Sequence, residues 1–332
     1  MFVMATTAPH TSGTPGTPPT MVPVPSLLGA VRPTERIGPE GRPTPEFRER
    51  LRRIPSWRNA GAVLAVYAQS LAVLVLAVRL DHPLAWVGAF VLMGRAFAQL
   101  AALMHEAAHR LLFRNRRVND WVGRYLLGYP SFTPIDLYRR GHMAHHREEF
   151  GPNEPDVPLY RGYPIARASF RRKLLRDATG QTGWKLFRGL LRGARTGAPA
   201  VRRQARAILA TQVVLAALFA AAGHPWLYVF CWFLPYLTVW RVINRLRSIA
   251  EHGGMVASSD RRETTHSVRQ RALARFLLVP HHIGWHLAHH VDAGVPMARL
   301  PELHRALERS GYVTAELEHR SYPALWRRLA AG

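Results

Sequence analysis

The stretch LAWVGAFVLMGRAFAQLAALMHEAAH (84–109) joins two kinds of sequence with different physical demands. From Leu84 to Met104 it is apolar but for Arg95 and Gln99. At about 1.5 Å per residue such a run crosses the roughly 30 Å hydrocarbon core of a bilayer as one helix. His105-Glu106-Ala107-Ala108-His109 then sets two imidazoles four residues apart, which stacks them one turn apart on a helix face. A membrane helix that ends in paired metal-ligand side chains predicts an all-α integral membrane protein with its chemistry at one membrane face.

Working outward, Ala60–Val78 is an uncharged apolar run, separated from the first by Arg79-Leu80-Asp81-His82-Pro83. A second pair follows, Ala207–Ala222 and Trp226–Ile243, around Gly223-His224-Pro225. The expectation is four transmembrane helices in two hairpins, over about 60–78, 84–104, 207–222 and 226–243, with a helical cytoplasmic cap that carries the histidines. Both tight turns then share one side, and between them they hold a single arginine, Arg79. The arginine-rich remainder predicts cytoplasmic N- and C-termini in a multi-pass protein of the cell membrane. Arg95, near mid-span, is expected to face the bundle interior or a polar partner.

The rest divides by composition. Residues 1–45 are rich in Pro, Thr and Gly and are expected to be disordered. Residues 46–59 read as an amphipathic interfacial segment. A membrane domain covers 60–310, and 311–332 is read as a C-terminal tail. Trp121–Pro134 is apolar but too short to cross, so an interfacial or re-entrant helix is expected there.

The 332 residues carry a formal net charge of +24. No helix-turn-helix, zinc-finger or RNP-type pattern accompanies the charge, so nucleic acid is not the expected partner. Cys231 is the only cysteine, which excludes an internal disulfide and any cysteine-built iron–sulfur or zinc site. Metal here must be held by His, Asp or Glu.

Nine of the 17 histidines fall into four places: His105 and His109; His142, His145 and His146; His252, just beyond the fourth apolar run; and His286, His289 and His290. Within each HxxHH the three rings share one helix face. Neutral imidazole suits iron, copper, nickel and zinc, and nine ligands are too many for one ion and suit two. His105 lies about 33 Å along a helix from Pro83, at the cytoplasmic edge, and the other groups fall on that same side.

The order HxxxH, HxxHH, HxxHH, with Asn153-Glu154-Pro155-Asp156, Arg247-Ser248-Ile249-Ala250-Glu251-His252 and Pro296, resembles the histidine boxes of the membrane fatty acid desaturase family, which includes related hydroxylases and ketolases. The resemblance covers about residues 60–310. It implies two iron ions held by His105, His109, His142, His145, His146, His252, His286, His289 and His290, with O2 as cosubstrate. It further implies desaturation of an acyl-lipid or acyl-CoA chain, with hydroxylation or ketolation of a lipid or specialised metabolite as the alternative on the same site. Electrons must come from an external donor such as ferredoxin, since the chain has no cysteine cluster, flavin fingerprint or haem-binding module; an acidic carrier would suit the basic face and bind less well at high salt.

Two positions depart from the family pattern. Ser248 stands where many members have an Asn that supports a metal-bound water, and His282 stands where an Asn often precedes the third box. His282 would share a helix face with His286 if that helix extended back, and a hydrogen-bonding role beside the ligands is expected for it. Glu106 and Glu251 are candidates for the same role, while Asp156 and Asp292 read as solvated carboxylates. The isolated His10, His82, His224, His266, His304 and His319 read as surface or interface residues. Trp285, Tyr129, Phe132 and Tyr138 read as membrane-surface aromatics rather than tunnel lining.

His105-Glu106-x-x-His109 is also the zincin signature, and an intramembrane HExxH metalloprotease is the competing enzyme reading. It leaves at least six clustered histidines unused. A non-catalytic metal-binding protein is the third reading; structural zinc sites, however, close with four ligands.

Overall fold

The computed structural model describes residues 20–152 and 154–332. Residues 1–19, including His10 and much of the expected disordered segment, lie outside the described residues, as does Asn153. The molecule is built almost entirely of helices; a two-residue parallel ladder pairs Ser267–Val268 with Glu318–His319.

Helix α1 (Pro45–Leu51) leads into α2 (Ser56–Leu80) and α3 (Pro83–Ala108). Asp81, at φ +40°, turns the chain between the last two, and the His82 side chain caps α3 by accepting from the Leu84 amide. The two helices run antiparallel. Asn59 near the start of α2 donates to the Leu111 and Leu112 carbonyls beyond the end of α3, while at the turn Trp86 Nε1 donates to Asp81. Arg95 meets its expectation. Its guanidinium donates to the Phe276 carbonyl (2.6 Å), Gln69 Oε1 (3.0 Å) and Gln99 Oε1 (2.8 Å), so the charge is hydrogen-bonded by protein rather than left in lipid.

After α3 come α4 (Arg116–Val122), a wide π turn over Gly123–Gly128, and α5 (Ile135–Arg147). The π turn packs back on α3, where a side chain at Gly123 would strike Ala107 and Ile135. Tyr129 and Phe132 are buried in this core, Phe132 stacked on Tyr236 at 4.1 Å, so neither is the surface anchor expected. The arginine-rich α6 (Arg167–Ala178) and α7 (Gln181–Thr196) then return the chain to α8 (Pro199–Ala221).

Among the described residues, three helices are long and apolar enough to cross a membrane: α2, α3 and α8. Two-thirds (67%) of the apolar window of α3 is buried, against 22% for α2 and α8, so α3 is the central helix and the other two turn apolar faces outward. The fourth expected span, 226–243, is not one helix. It passes through a π turn at Tyr228–Phe233 and a short turn at Leu234–Leu237, then breaks at Thr238 before α9 (Val239–His252). Pro235 supplies a reason, since it has no amide to donate back to Cys231 and its ring crowds the preceding turn. Hydropathy sees the run but not the break.

The remaining chain forms a cap with α10 (Ala272–Leu277), α11 (His286–Val291), α12 (Leu300–Arg309) and α13 (Tyr322–Leu329). Two expectations fail here for one physical reason. Residues 20–45 are not disordered: Met21 and Ile37 are buried in the cap core, and Ile37 pairs with Pro43. Residues 311–332 are no loose tail, since Tyr322, Leu325 and Leu329 lie on one helix face in the same core and Trp326 Nε1 donates to the Leu246 carbonyl. A few well-spaced apolar residues anchor segments whose average composition is polar. Likewise, the apolar side of the 46–59 segment (Phe47, Leu51) is buried against the cap rather than turned to lipid.

Candidate metal centre

The ends of four helices deliver the nine histidines. His105 occupies the last turn of α3 and His109 follows as its C-terminal cap. Helix α5 presents His142, His145 and His146, α9 ends at His252, and α11 carries His286, His289 and His290. The three rings of each HxxHH, though on one helix face, divide between two places: His142 and His146 part from His145, and His289 from His286 and His290.

The result is two adjacent groups. His105, His109, His142, His146 and His289 form one; His145, His252, His286 and His290 form the other; in each, ligand nitrogens lie within 4.8 Å of one another. Nε2 atoms approach closely around each group: His109 to His142 2.9 Å, His142 to His146 3.1 Å, His146 to His289 3.0 Å, His252 to His286 3.1 Å and His286 to His290 3.0 Å. Two imidazole nitrogens each about 2.1 Å from a shared first-row ion, at right angles, stand about 3.0 Å apart. The spacing therefore fits a common metal, and in each group it recurs around one centre. The groups abut where the His146 and His290 rings stack at 4.4 Å.

Burial sets the charge state. It holds the His142, His146, His252, His286, His289 and His290 imidazoles well below their ordinary pKa, and His109 is pushed down to about 3. Neutral rings keep a lone pair for a metal. His145 goes the other way: burial opposes its charge, but the Glu154 carboxylate at 2.6 Å, with Asp156 and Glu149 nearby, raises it.

The outer nitrogens distinguish the groups. In the four-histidine group, Nδ1 of His145 is bonded to Glu154, Nδ1 of His290 to Glu149, and Nδ1 of His252 to the Thr264 carbonyl, while His286 Nδ1 lies 3.7 Å from Glu251. An acceptor on Nδ1 fixes the tautomer that leaves Nε2 free to ligate. Arg261 in turn holds Glu149 (2.6 Å) and Arg247 holds Glu251 (2.8 Å). Of these four histidines only His286 has Nδ1 buried without a hydrogen-bond partner, whereas in the five-histidine group Nδ1 of His105, His142 and His289 is so.

Glu149 and Glu154 were not foreseen as site residues. Glu149 had no spacing signal, and Glu154 reaches back to His145 only because the chain turns between them. Glu251 Oε1 lies 3.7 Å from His286 Nδ1, too far for a hydrogen bond, and pairs instead with Arg247. Among the described residues Glu106 makes no hydrogen bond to an imidazole; its Oε1 accepts from the Met297 amide and ties α3 to the loop after the third box. Ser248 donates to its own helix at the Asn244 carbonyl. His282 is not on the His286 helix, which begins at His286: it sits at φ +70° beyond Pro280, with Nε2 3.4 Å from an Arg58 nitrogen. Asp292 is not solvated, since it is buried and held by Arg48 (3.2 Å) and Arg52 (2.6 Å). Asp156 is half-buried. Tyr138 stacks on the His142 ring at 5.2 Å. His266 and His304 are buried in the cap, His266 donating to the Gly253 carbonyl, rather than lying at the surface.

Over 225 residues the chain is 25% identical to a dihydrorhizobitoxine desaturase of Bradyrhizobium elkanii, covering 63% of each chain. It is 37% identical over 65 residues to an sn-1 oleoyl-lipid 12-desaturase of Arthrospira platensis, which is 20% of this chain and 17% of that protein. The matches thus span less than two-thirds of either relative's length. The sequence profile of the fatty acid desaturase family matches residues 81–322, which include all nine clustered histidines, and the chain belongs to that family.

Proposed function

We propose that this protein is a membrane-bound diiron oxidoreductase that converts a CH2–CH2 unit of a lipid-like acyl chain into a C=C bond. The observation that carries the reading is the division of nine buried imidazoles into adjacent groups of five and four. One ion cannot use nine ligands, and a structural zinc site closes with four. In the balanced reaction, O2, two electrons and two protons combine with the two hydrogens removed from the chain to give two waters. Iron, when bound, supplies the redox chemistry that activates O2.

The protein's own contribution is positional. Imidazole nitrogens of His105, His109, His142, His146 and His289 would hold one ion, and those of His145, His252, His286 and His290 the other. Glu149, Glu154 and the Thr264 carbonyl keep the outer nitrogens protonated and the rings aimed. The direction of Glu106, toward Met297 rather than into the histidine groups, speaks against the HExxH protease reading, which needs that carboxylate as general base at a single zinc.

Both relatives are named as desaturases, which favours dehydrogenation over hydroxylation. The remaining features of the reading follow from charge and hydropathy: four bilayer crossings, the last through the broken 226–243 segment, arginine-rich regions and both termini on the cytoplasmic side of the cell membrane, and electrons from an external carrier such as ferredoxin. The test is expression in a bacterial host beside the His289→Ala variant, followed by lipid mass spectrometry. A product lacking two hydrogens, absent in the variant, is expected. Gain of one oxygen atom would replace desaturation by hydroxylation, and unchanged lipids in cells with intact, iron-loaded protein would refute an acyl substrate.

A further inference from the structure

A cavity of about 460 Å³ opens between α2, α3, α10 and the turn at Pro280–His282, apart from the two histidine groups. Its wall shares Glu106 with the last turn of α3, one residue from His105. Three guanidinium groups line it, Arg58, Arg95 and Arg275, and none makes an ion pair among the described residues. Glu106 is the only carboxylate in the wall, and one of its oxygens is committed to the Met297 amide. Arg95 is met only by neutral acceptors and by the Phe276 ring at 4.1 Å.

Two further observations point to a ligand. His281 and His282 are consecutive non-glycine residues in the left-handed region (φ +55° and +70°), a conformation that costs energy and collects at functional sites. This turn brings both imidazoles to the cavity, where His281 Nε2 and His282 Nδ1 are buried without a hydrogen-bond partner. The outer side is apolar: Phe276 of α10, in the cavity wall, is exposed and meets Arg95 near the middle of a membrane-length helix, and Leu273 and Leu277 of the same helix are exposed as well. An uncompensated positive cluster beside an apolar surface is costly unless an anion joins it.

We propose that this cavity binds the anionic group, a carboxylate or a phosphate, of the amphiphile that the enzyme oxidises. Exposed Arg58 and Arg275 meet the charge at the mouth, the unpartnered imidazole nitrogens of His281 and His282 add hydrogen bonds, and the apolar outer side faces the ligand's chain. The proposal rests on the reading above that an amphiphile approaches the histidines from the bilayer.

The test uses the full chain, iron-loaded, in phosphatidylcholine nanodiscs, with equilibrium binding of oleate and of dioleoyl phosphatidic acid. The Arg58→Gln/Arg275→Gln double variant is compared with the unaltered protein; both side chains are exposed, so folding is retained, and iron content reports on the metal groups separately. Saturable binding of one probe, weakened about tenfold or more in the variant at unchanged iron content, is expected from loss of two charge-assisted contacts. Preference for oleate assigns the site to a free acid, and preference for phosphatidic acid assigns it to a lipid headgroup. No saturable binding of either probe, or equal affinity in the variant, overturns the proposal. Lipid oxidation is scored independently: if it persists while binding is unaffected by the substitutions, the anion site alone fails, and if oxidation is absent while the arginine-dependent binding remains, the oxidase reading alone fails.

Discussion

His145 and His146 are neighbours in sequence and go to different histidine groups. The difference between those two residues extends to their outer nitrogens, because His145 leans on Glu154 whereas the five-histidine group has three Nδ1 atoms with no partner. A carboxylate on Nδ1 raises the basicity of the ligating nitrogen and restricts ring rotation. The four-histidine group is therefore the better oriented of the two. Glu154→Gln and Glu149→Gln are each expected to weaken metal binding there by about 10–100-fold, while the five-histidine group keeps its metal. Competition titration with a chelator, followed by metal analysis, checks this. Loss of both metals together, or of neither, would count against the assignment. Glu149 was illegible in the sequence for a plain reason: its partner His290 lies 141 residues away, and only the folded chain brings the two together.

Among elements, α1 shows how a segment outside the histidine boxes can hold them. Arg48 and Arg52 share one face of this short helix and its C-terminal cap, and both reach Asp292, two residues beyond His290. Asp292 also accepts from the Gly294 amide, closing the end of α11. The carboxylate is nearly inaccessible while both arginines are partly exposed, so screening reduces the cost of losing them below that of a fully buried pair. Replacing both by alanine should lower stability by about 1–3 kcal/mol and loosen the third box. Thermal unfolding in detergent reads the first effect; an Asp292→Asn change added to the double variant should recover part of the loss, since no buried charge then remains. If the triple variant is less stable than the double, the ion pair is not what holds α11.

For the whole molecule, what could be read along the chain was what depends on local period. The apolar lengths of α2, α3 and α8, and the 3-and-4 spacing that puts rings on one face, are properties of single helices. Their coming together was inferred from number and side, and the geometry shows the nine rings assembled. Features fixed by tertiary contacts were not legible. The burial of Ile37 and Leu329 in the cap and the turning of His282 toward Arg58 depend on neighbours remote in sequence. The central claim, two irons in two histidine groups, is tested most directly by metal analysis of the purified full chain beside one substitution from each group, His109→Ala and His252→Ala. Two irons per chain are expected, with His109→Ala losing metal from the five-histidine group, His252→Ala from the four-histidine group, and each retaining the other ion. A single zinc per chain in the unaltered protein, or iron content indifferent to both substitutions, would contradict it.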